Sequence, residues 1–235
     1  MSNKAKVVVL TGAGVSAESG IKTFRDSGGL WEEHDVMDVA SIEGWYRNKE
    51  LVLEFYNARR RQLKEVSPNA AHEAIKRLES RFETVVITQN VDDLHERAGS
   101  SKVIHLHGEL KKVRSTLDPE LVYEWDKDLH LGDQCEKGAQ LRPHIVWFGE
   151  SVPMLEVATR EVANADVVLV IGTSMQVYPA AGLIGYAPSD IQVYYIDPNP
   201  AMSFELQRFR RLEVVPEVAT IGVPMVVDKL LDEKG

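Results

Sequence analysis

Six short runs of this chain are apolar almost without interruption: "KVVVL" (6–10), "TVVIT" (84–88), "KVIHL" (102–106), "HIVWF" (144–148), "DVVLVI" (166–171) and "IQVYYI" (191–196). A strand with one wet face alternates polar and apolar residues, whereas a strand covered on both faces does not. The runs therefore predict a parallel sheet buried between two layers of helix. Helical patterns separate them. "SPNAAHEAIKRLESRF" offers Ser67 as N-cap and Pro68 at the first helical position, with Ala71, Ile75 and Leu78 on one face. "PMLEVATREVANAD" (153–166) and "GVPMVVDKLLDE" (222–233) read the same way. Strands alternating with helices give an α/β fold with a Rossmann-like, doubly wound parallel sheet.

Two regions break the alternation. Residues 26–66 hold helical patterns with aromatic and basic residues, and residues 108–142 form a polar insert. Both are expected to build a small second lobe of insertions within one domain spanning 1–235. The large lobe then comprises approximately 1–25, 67–107 and 143–235, with a cleft between the two.

Composition narrows the class. A length of 235 residues, 44% hydrophobic, suffices for one large core, and a net charge of −9 argues against a nucleic-acid binder. No apolar run reaches the length of a membrane span. The single cysteine excludes an internal disulfide framework and suits a reducing compartment, so a cytoplasmic protein is expected.

The polar clusters fall where open α/β sheets bind ligands, just beyond strand carboxyl ends. "VVVLTGAGVSAESG" sets Gly12, Gly14 and Ala17 after a strand, in the GxGxxA form that lets a pyrophosphate approach the backbone at a helix N-terminus. A glycine-rich strand–helix turn without a ligand has the same look. The usual fingerprint also has an acidic residue on the next strand, about 20 residues on. Here that window is "FRDSGGLWEEHD", and Asp197, ending "IQVYYID", is the better partner for a ribose hydroxyl.

"ITQNVDDLHERAG" brings Gln89, Asn90, Asp92 and Asp93 after a strand, groups able to grip ribose hydroxyls and a carboxamide. A helix start capped by Asn90 is the plainer reading, and it accounts for Asp93 better than for Gln89. In "VIHLHGE", His105 and His107 stand at alternate positions, and His107 falls at the strand end, where an imidazole can transfer protons near neutral pH. A structural histidine is the alternative. Tyr56 and Arg59 are three apart in a helical pattern, and together a phenol and a guanidinium can receive a carboxylate. A solvated basic face is the plain account of Arg60 and Arg61. Gly172, Thr173 and Ser174 follow a strand at a further phosphate-suited position.

Taken in order, "GAGVSAESGIKTFRD" (12–26), "TQNVDDLHERAG" (88–99), "HG" (107–108), "FGE" (148–150), "GTS" (172–174) and "IDPNP" (196–200) resemble the sirtuin family, NAD-dependent protein-lysine deacylases. The resemblance implies NAD as a consumed co-substrate and acylated protein lysines as partners, with neither nucleic acid nor membrane involved. Gly12, Ala13, Gly14, Ser16 and Ala17 would line the phosphates and nicotinamide ribose, with Phe24 and Arg25 on a covering loop. Gln89, Asn90 and Asp92 would bind the nicotinamide ribose and carboxamide region; Gly172, Thr173 and Ser174 would contact phosphate and the adenosine ribose. Asp197 stands where the family often has asparagine, followed by Pro198 and Asn199; Ala219 and Thr220 match the adenine side. A carboxylate at 197 favours NAD over NADP.

His107 matches the family's catalytic histidine, with Asn90 and Asp92 as catalytic partners. In the implied reaction the acyl oxygen attacks the ribose as nicotinamide leaves, and His107 acts as general base, giving 2′-O-acyl-ADP-ribose and free lysine. Tyr56 and Arg59 resemble the subgroup acting on succinyl-, malonyl- and glutaryl-lysine, and Ala40 its widened acyl pocket. Phe148 and Gly149 would receive the substrate peptide as an added strand opposite "VYPA". An ADP-ribosyltransferase on the same scaffold, or a non-catalytic NAD-binding protein, are the alternatives.

The family commonly staples the insert with zinc on two Cys-x-x-Cys pairs. This chain has Cys135 alone, with Gln134 and Lys137 where the second pair would fall, and the spacing of His130, Asp133 and Cys135 suits no standard site. No zinc is therefore expected, and Leu117, Leu121, Tyr123, Trp125 and Leu129 are the expected packing anchors.

Overall fold

The computed structural model describes residues 4–22, 30–31 and 34–232. Strand β1 (Lys6–Thr11) leads into two 3-10 turns, Ala13–Val15 and Ala17–Ser19. The two-residue strands β2 (Leu30–Trp31) and β3 (His34–Asp35) precede helices α1 (Val36–Val39), α2 (Ile42–Arg47), α3 (Lys49–Gln62) and α4 (Ala70–Arg77). Then come β4 (Glu83–Thr88), α5 (Leu94–Arg97), β5 (Val103–His105), β6 (Gly108–Ser115), β7 (Val122–Glu124) and β8 (Leu141–Ile145). The chain closes through α6 (Leu155–Ala163), β9 (Val167–Ile171), a 3-10 stretch (Ala180–Tyr186), β10 (Gln192–Ile196), α7 (Phe204–Gln207), β11 (Arg211–Val215) and α8 (Ala219–Asp232).

Six strands form one parallel sheet in the order β11-β10-β9-β1-β4-β5. The order reverses between β1 and β9, which is the switch point where the carboxyl ends of open sheets leave a crevice. Both faces are dry, as the continuous apolar runs require. On β1, Val8 and Leu10 join a core with α6, while Val7 and Val9 join one with α4 and α8. Ala71, Ile75 and Leu78 are all buried, in keeping with the expected helix face.

A separate antiparallel sheet, β7-β6-β8, packs with α1, α2 and α3 around a third core that includes Trp45, Leu129, Cys135 and Trp147. Here several expectations need correcting. "HIVWF" does not join the parallel sheet: the strand is Leu141–Ile145, antiparallel to β6. The polar insert is itself strand-forming, and β11 adds a sixth parallel strand at an edge.

The helix after Pro68 is capped not by Ser67 but by Asn69, whose side chain accepts from the Ala71 amide at 2.9 Å. Asn69 also donates to Val15 O and to Ser19 Oγ, both at 2.9 Å, so the cap fastens the helix to the glycine-rich loop. Leu117, expected as a packing anchor, is exposed, whereas Leu129 is fully buried and Leu121, Tyr123 and Trp125 pack on its cluster. No helix among the described residues is long and apolar enough to cross a membrane.

Two histidines lie under the sheet's carboxyl edge with their rings 4.8 Å apart. Burial pushes the His72 imidazole down to about 4 and His95 well below the ordinary histidine value. Both are neutral in the fold but take up protons once unfolded. Their contribution to stability is thus complete above pH 6.5 and is lost as pH falls toward about 4. The expected loss is on the order of 3 kcal/mol for a shift of this size. Denaturant unfolding between pH 7.5 and 4.5 reads it directly; a flat profile from 6.5 to 5 would contradict neutral burial.

Candidate active site

A cavity of about 720 Å³ opens at the switch point and runs toward the antiparallel sheet. Its floor is made by backbones. Gly12 N donates to Ile171 O at 3.0 Å, and Gly14 N to Gly172 O at 2.9 Å. A Cβ on Gly14 would sit 2.6 Å from Gly172 Cα, so no side chain fits. Gly172 also has φ +57, a left-handed conformation that suits glycine. The glycine-rich loop continues as two 3-10 turns and not as the expected α-helix, so this loop brings no α-helix N-terminus to the cavity. Binding here falls to exposed backbone, small side chains and a polar network.

That network spans two loops. Asn90 Nδ2 donates to Ser16 Oγ at 3.1 Å, and Ser16 Oγ donates to Asp92 Oδ2 at 3.0 Å. Asn90 N is held by Thr88 Oγ1 at 3.0 Å, and Asp92 Oδ1 accepts from Leu94 N at 3.1 Å. Gln89 Nε2 reaches across to Thr173 Oγ1 at 3.1 Å. Burial raises the Asp92 pKa, against the pull of the Leu94 amide and the Ser16 hydroxyl. Asp93 turns the other way, toward Lys111 at 3.0 Å.

The two alternating histidines separate into different roles. His105 has an acceptor on each side: Asn90 O at 3.1 Å from Nδ1 and Glu96 Oε1 at 2.7 Å from Nε2. Burial opposes its charge, but the Glu96 carboxylate prevails and its pKa is raised. It is a structural clamp outside the cavity lining. His107 lines the cavity and meets Gln89 O at 3.0 Å through Nδ1. A carbonyl only accepts, so Nδ1 carries the proton and Nε2 keeps a lone pair. Burial lowers its pKa, with the Gln89 carbonyl only partly offsetting this. A neutral imidazole with a basic nitrogen is the form a general base needs.

Nearly every residue singled out from sequence meets in this one cavity. Gly12, Ala13, Gly14, Ser16, Ala17, Gln89, Asn90, Asp92 and His107 line it, as do Gly172, Thr173, Ser174, Asp197, Pro198, Asn199 and Ala219. Tyr56, Arg59, Ala40, Phe148 and Gly149 line it as well. Thr220 is not a lining residue: its amide and hydroxyl both donate to Glu18, at 2.9 and 2.7 Å. Phe24 and Arg25 lie outside the described residues.

Sequence reasoning missed Trp147 as a site residue. It lines the cavity, and its Nε1 donates to Tyr56 Oη at 2.9 Å. The two are 91 positions apart, so no local pattern links them. The role of Glu150 was also missed, although it ends a motif: it accepts from Arg142, Arg114 and the Trp147 amide.

The cysteine environment does not fit a tetrathiolate. Cys135 Sγ meets Ser115 Oγ at 3.3 Å, and among the described residues no three His, Cys, Asp or Glu side chains cluster as a metal site requires.

Residues 12–179 match the Sir2 family. Over 193 residues the chain is 62% identical to an NAD-dependent protein deacylase of Helicobacter pylori strain J99, covering 82% of either chain. It is 54% identical over 224 residues to an NAD-dependent protein deacylase of Bacteroides thetaiotaomicron, covering 92% of this chain and 94% of the relative. A crystal structure of a Sir2 homologue in complex with NAD superposes with a TM-score of 0.86 at 38% identity, over 97% of this chain and 90% of that one. Sir2 bound to an acetylated peptide superposes with a TM-score of 0.76 at 27% identity, over 97% and 94%.

The glycine contact gives a direct test of the cavity floor. Gly172→Ala forces a Cβ to 2.5 Å from Gly14 C and is expected to cost about 1–3 kcal/mol of stability, the range for overpacking. Denaturant unfolding measures this, and unchanged stability would rule out the close approach.

Proposed function

The chain belongs to the Sir2 family as an NAD-dependent protein deacylase, and from that premise we propose that it removes both acetyl and acidic acyl groups, succinyl and malonyl, from protein lysines. The observation that carries this reading is one cavity with two chemically distinct ends. At one end lie the Ser16–Asn90–Asp92 network and the neutral His107; at the other lie Tyr56 and Arg59, a phenol and a cation on one helix.

The cofactor end suits NAD. The floor is bare backbone, because the close approach of Gly14 and Gly172 admits no side chain on either, and bare backbone lets a pyrophosphate come near. Asp197 borders the same cavity, and its carboxylate accepts ribose hydroxyls while repelling a 2′-phosphate, which favours NAD over NADP. When bound, NAD would supply the electrophilic ribose carbon that takes the acyl oxygen as nicotinamide departs, with water then releasing free lysine and 2′-O-acyl-ADP-ribose. Asn90 and Asp92 hold the ribose and carboxamide side, with Ser16 fixing the carboxylate through its hydroxyl. His107 withdraws a proton from a ribose hydroxyl through Nε2, and the Gln89 carbonyl keeps its ring in the matching tautomer.

The substrate backbone is read as an added strand between residues 148–150 and 176–179, where exposed Phe148 and Tyr178 border the cavity. This mode satisfies peptide N–H and C=O groups whatever the side chains, so broad protein targeting follows.

Mass spectrometry of acetylated and succinylated lysine peptides, incubated with and without NAD, tests the reading. Both acyl groups are expected to be lost only with NAD, with matching acyl-ADP-ribose. Because burial lowers the His107 pKa, the acid limb of kcat/KM is expected below pH 6.5. His107→Tyr is expected to lower turnover about 100-fold or more, in line with loss of a general base; undiminished turnover would remove His107 from the mechanism.

Arg59→Met tests the acyl end separately. Loss of a charge-assisted bond costs about 1.5–3 kcal/mol, so kcat/KM for the succinyl peptide should fall roughly 10- to 100-fold more than for the acetyl peptide. Equal losses on both peptides would refute the carboxylate receptor.

A further inference from the structure

Trp147 lines the same cavity as Tyr56 and Arg59. Tyr56 is fully buried where it borders the cavity, and its oxygen receives the Trp147 Nε1 proton at 2.9 Å. An indole N–H can only donate, so the phenol oxygen must be the acceptor in this pair. One acceptor position on that oxygen is therefore taken, and the hydroxyl proton must point elsewhere.

Trp147 itself is packed against two side chains. The Arg142 guanidinium lies 3.4 Å from its ring centroid, and the Trp45 ring is 5.5 Å away with an interplanar angle of 37°. Arg142 is held in turn by Glu150 through bonds of 2.6 and 3.0 Å, and by Ile145 O at 3.1 Å. Glu150 also accepts from the Trp147 amide at 2.8 Å. Ring and backbone of Trp147 are thus fixed by one carboxylate. Such a side chain has a single orientation in which its N–H can reach Tyr56.

We propose that Trp147 is a positioning residue that sets acyl preference: by filling an acceptor site on Tyr56, it presents the phenolic O–H as a donor to a carboxylate-ended acyl chain. The inference rests on the reading of Tyr56 and Arg59 as the acidic-acyl end. Donation by the indole also polarises the phenol, which strengthens the bond it donates. Burial pushes the phenol pKa far up, so the hydroxyl keeps its proton and never becomes an anion that would repel the substrate. An acetyl chain ends in a methyl group and gains nothing from that donor. The effect of Trp147 is therefore selective by chemistry.

The test uses the full chain with W147F, Y56F and W147F/Y56F, and peptides of one sequence carrying acetyl- or succinyl-lysine. Phenylalanine keeps an aromatic ring between Arg142 and Trp45 and removes only the N–H and the second ring. The succinyl-to-acetyl ratio of kcat/KM is expected to fall about tenfold in W147F, mainly through KM, as for a hydrogen bond to a charged group weakened but not lost. In the Y56F background the same change is expected to have no further effect on the ratio, because its target hydroxyl is gone.

A ratio within twofold of wild type in W147F overturns the proposal, as does a full additional fall in the double variant. In either case a selective loss in Arg59→Met would leave the acidic-acyl reading standing. A wild-type protein that removes acetyl but no succinyl groups sinks that reading and this inference with it. Acetyl turnover serves as the check that each variant folds. Should W147F fail on both peptides, Arg142→Lys, which breaks the bidentate pairing with Glu150, decides: a fall in ratio supports the clamp, and an unchanged ratio overturns it.

Discussion

Two glycine backbones lie against each other where β1 and β9 end, and the cleft takes its shape from that contact. The Gly14 amide reaches the Gly172 carbonyl at a spacing that leaves no space for a methyl group on either residue. This fixes the glycine-rich loop to the sheet without help from a following helix. Ser16, four residues beyond Gly12, is then held where its hydroxyl can bridge Asn90 and Asp92. Three chain segments, after β1, β4 and β9, are thereby locked into one surface. A desolvated carboxylate such as Asp92 is costly to keep charged, and it is tolerable only because this surface supplies two fixed donors.

The smaller sheet solves a different problem. A lobe of short strands buries little apolar surface and commonly needs a staple. Here the turn that carries Cys135 closes by backbone bonds, from Cys135 N to Ala139 O and from Gly138 N to Cys135 O, each at 2.9 Å. The Asn57 side chain pins Leu129 through both its amide and its carbonyl, at 2.8 and 3.0 Å. Lys137 pairs with Asp118, and Tyr123 with Glu136. Exposed pairs such as these contribute little, so the weight falls on Leu129, Trp147 and their neighbours in the third core. The lone thiol behaves as a small buried apolar group.

What could be read from sequence follows the physics of burial. Strands β1, β4, β9 and β10 are covered on both faces and announce themselves as apolar runs. Strand β6, "GELKKVRS", alternates buried and wetter residues, so its charged side chains hid it inside a polar stretch. Strand β11 sits at the sheet edge with no residue fully buried, and "RLEVV" carried too weak a signal. The helix start was misread by two residues because Ser-Pro is a common opening, whereas the Asn69 cap is fixed by bonds to a loop 50 and 54 positions away in sequence. Site residues near strand ends were legible because topology brings those ends together. Trp147 was not, because only tertiary packing puts its indole against Tyr56.

His107 and Trp147, the proposed base and the indole bonded to Tyr56, flank the same strand pair, which has a mechanical consequence. Val146 N donates to His107 O at 2.9 Å, so the residue before Trp147 is bonded to the residue proposed as general base. The next pair, Gly108 with Ile145, is so close that a Cβ on Gly108 would meet His144 O at 2.0 Å. β6 and β8 therefore cannot slide or separate at this point without moving both ends of the cavity. Glu150 anchors the far side by gathering Arg114 from β6 and Arg142 from β8 onto one carboxylate. This seam thus ties the imidazole to the indole that bonds Tyr56. Reaction geometry tolerates little error in how such groups are placed. In this chain the antiparallel sheet does more than cover the cleft: it carries the proposed base at the end of one strand and, at the end of its neighbour, the indole that ties the sheet to Tyr56 of the proposed acyl receptor.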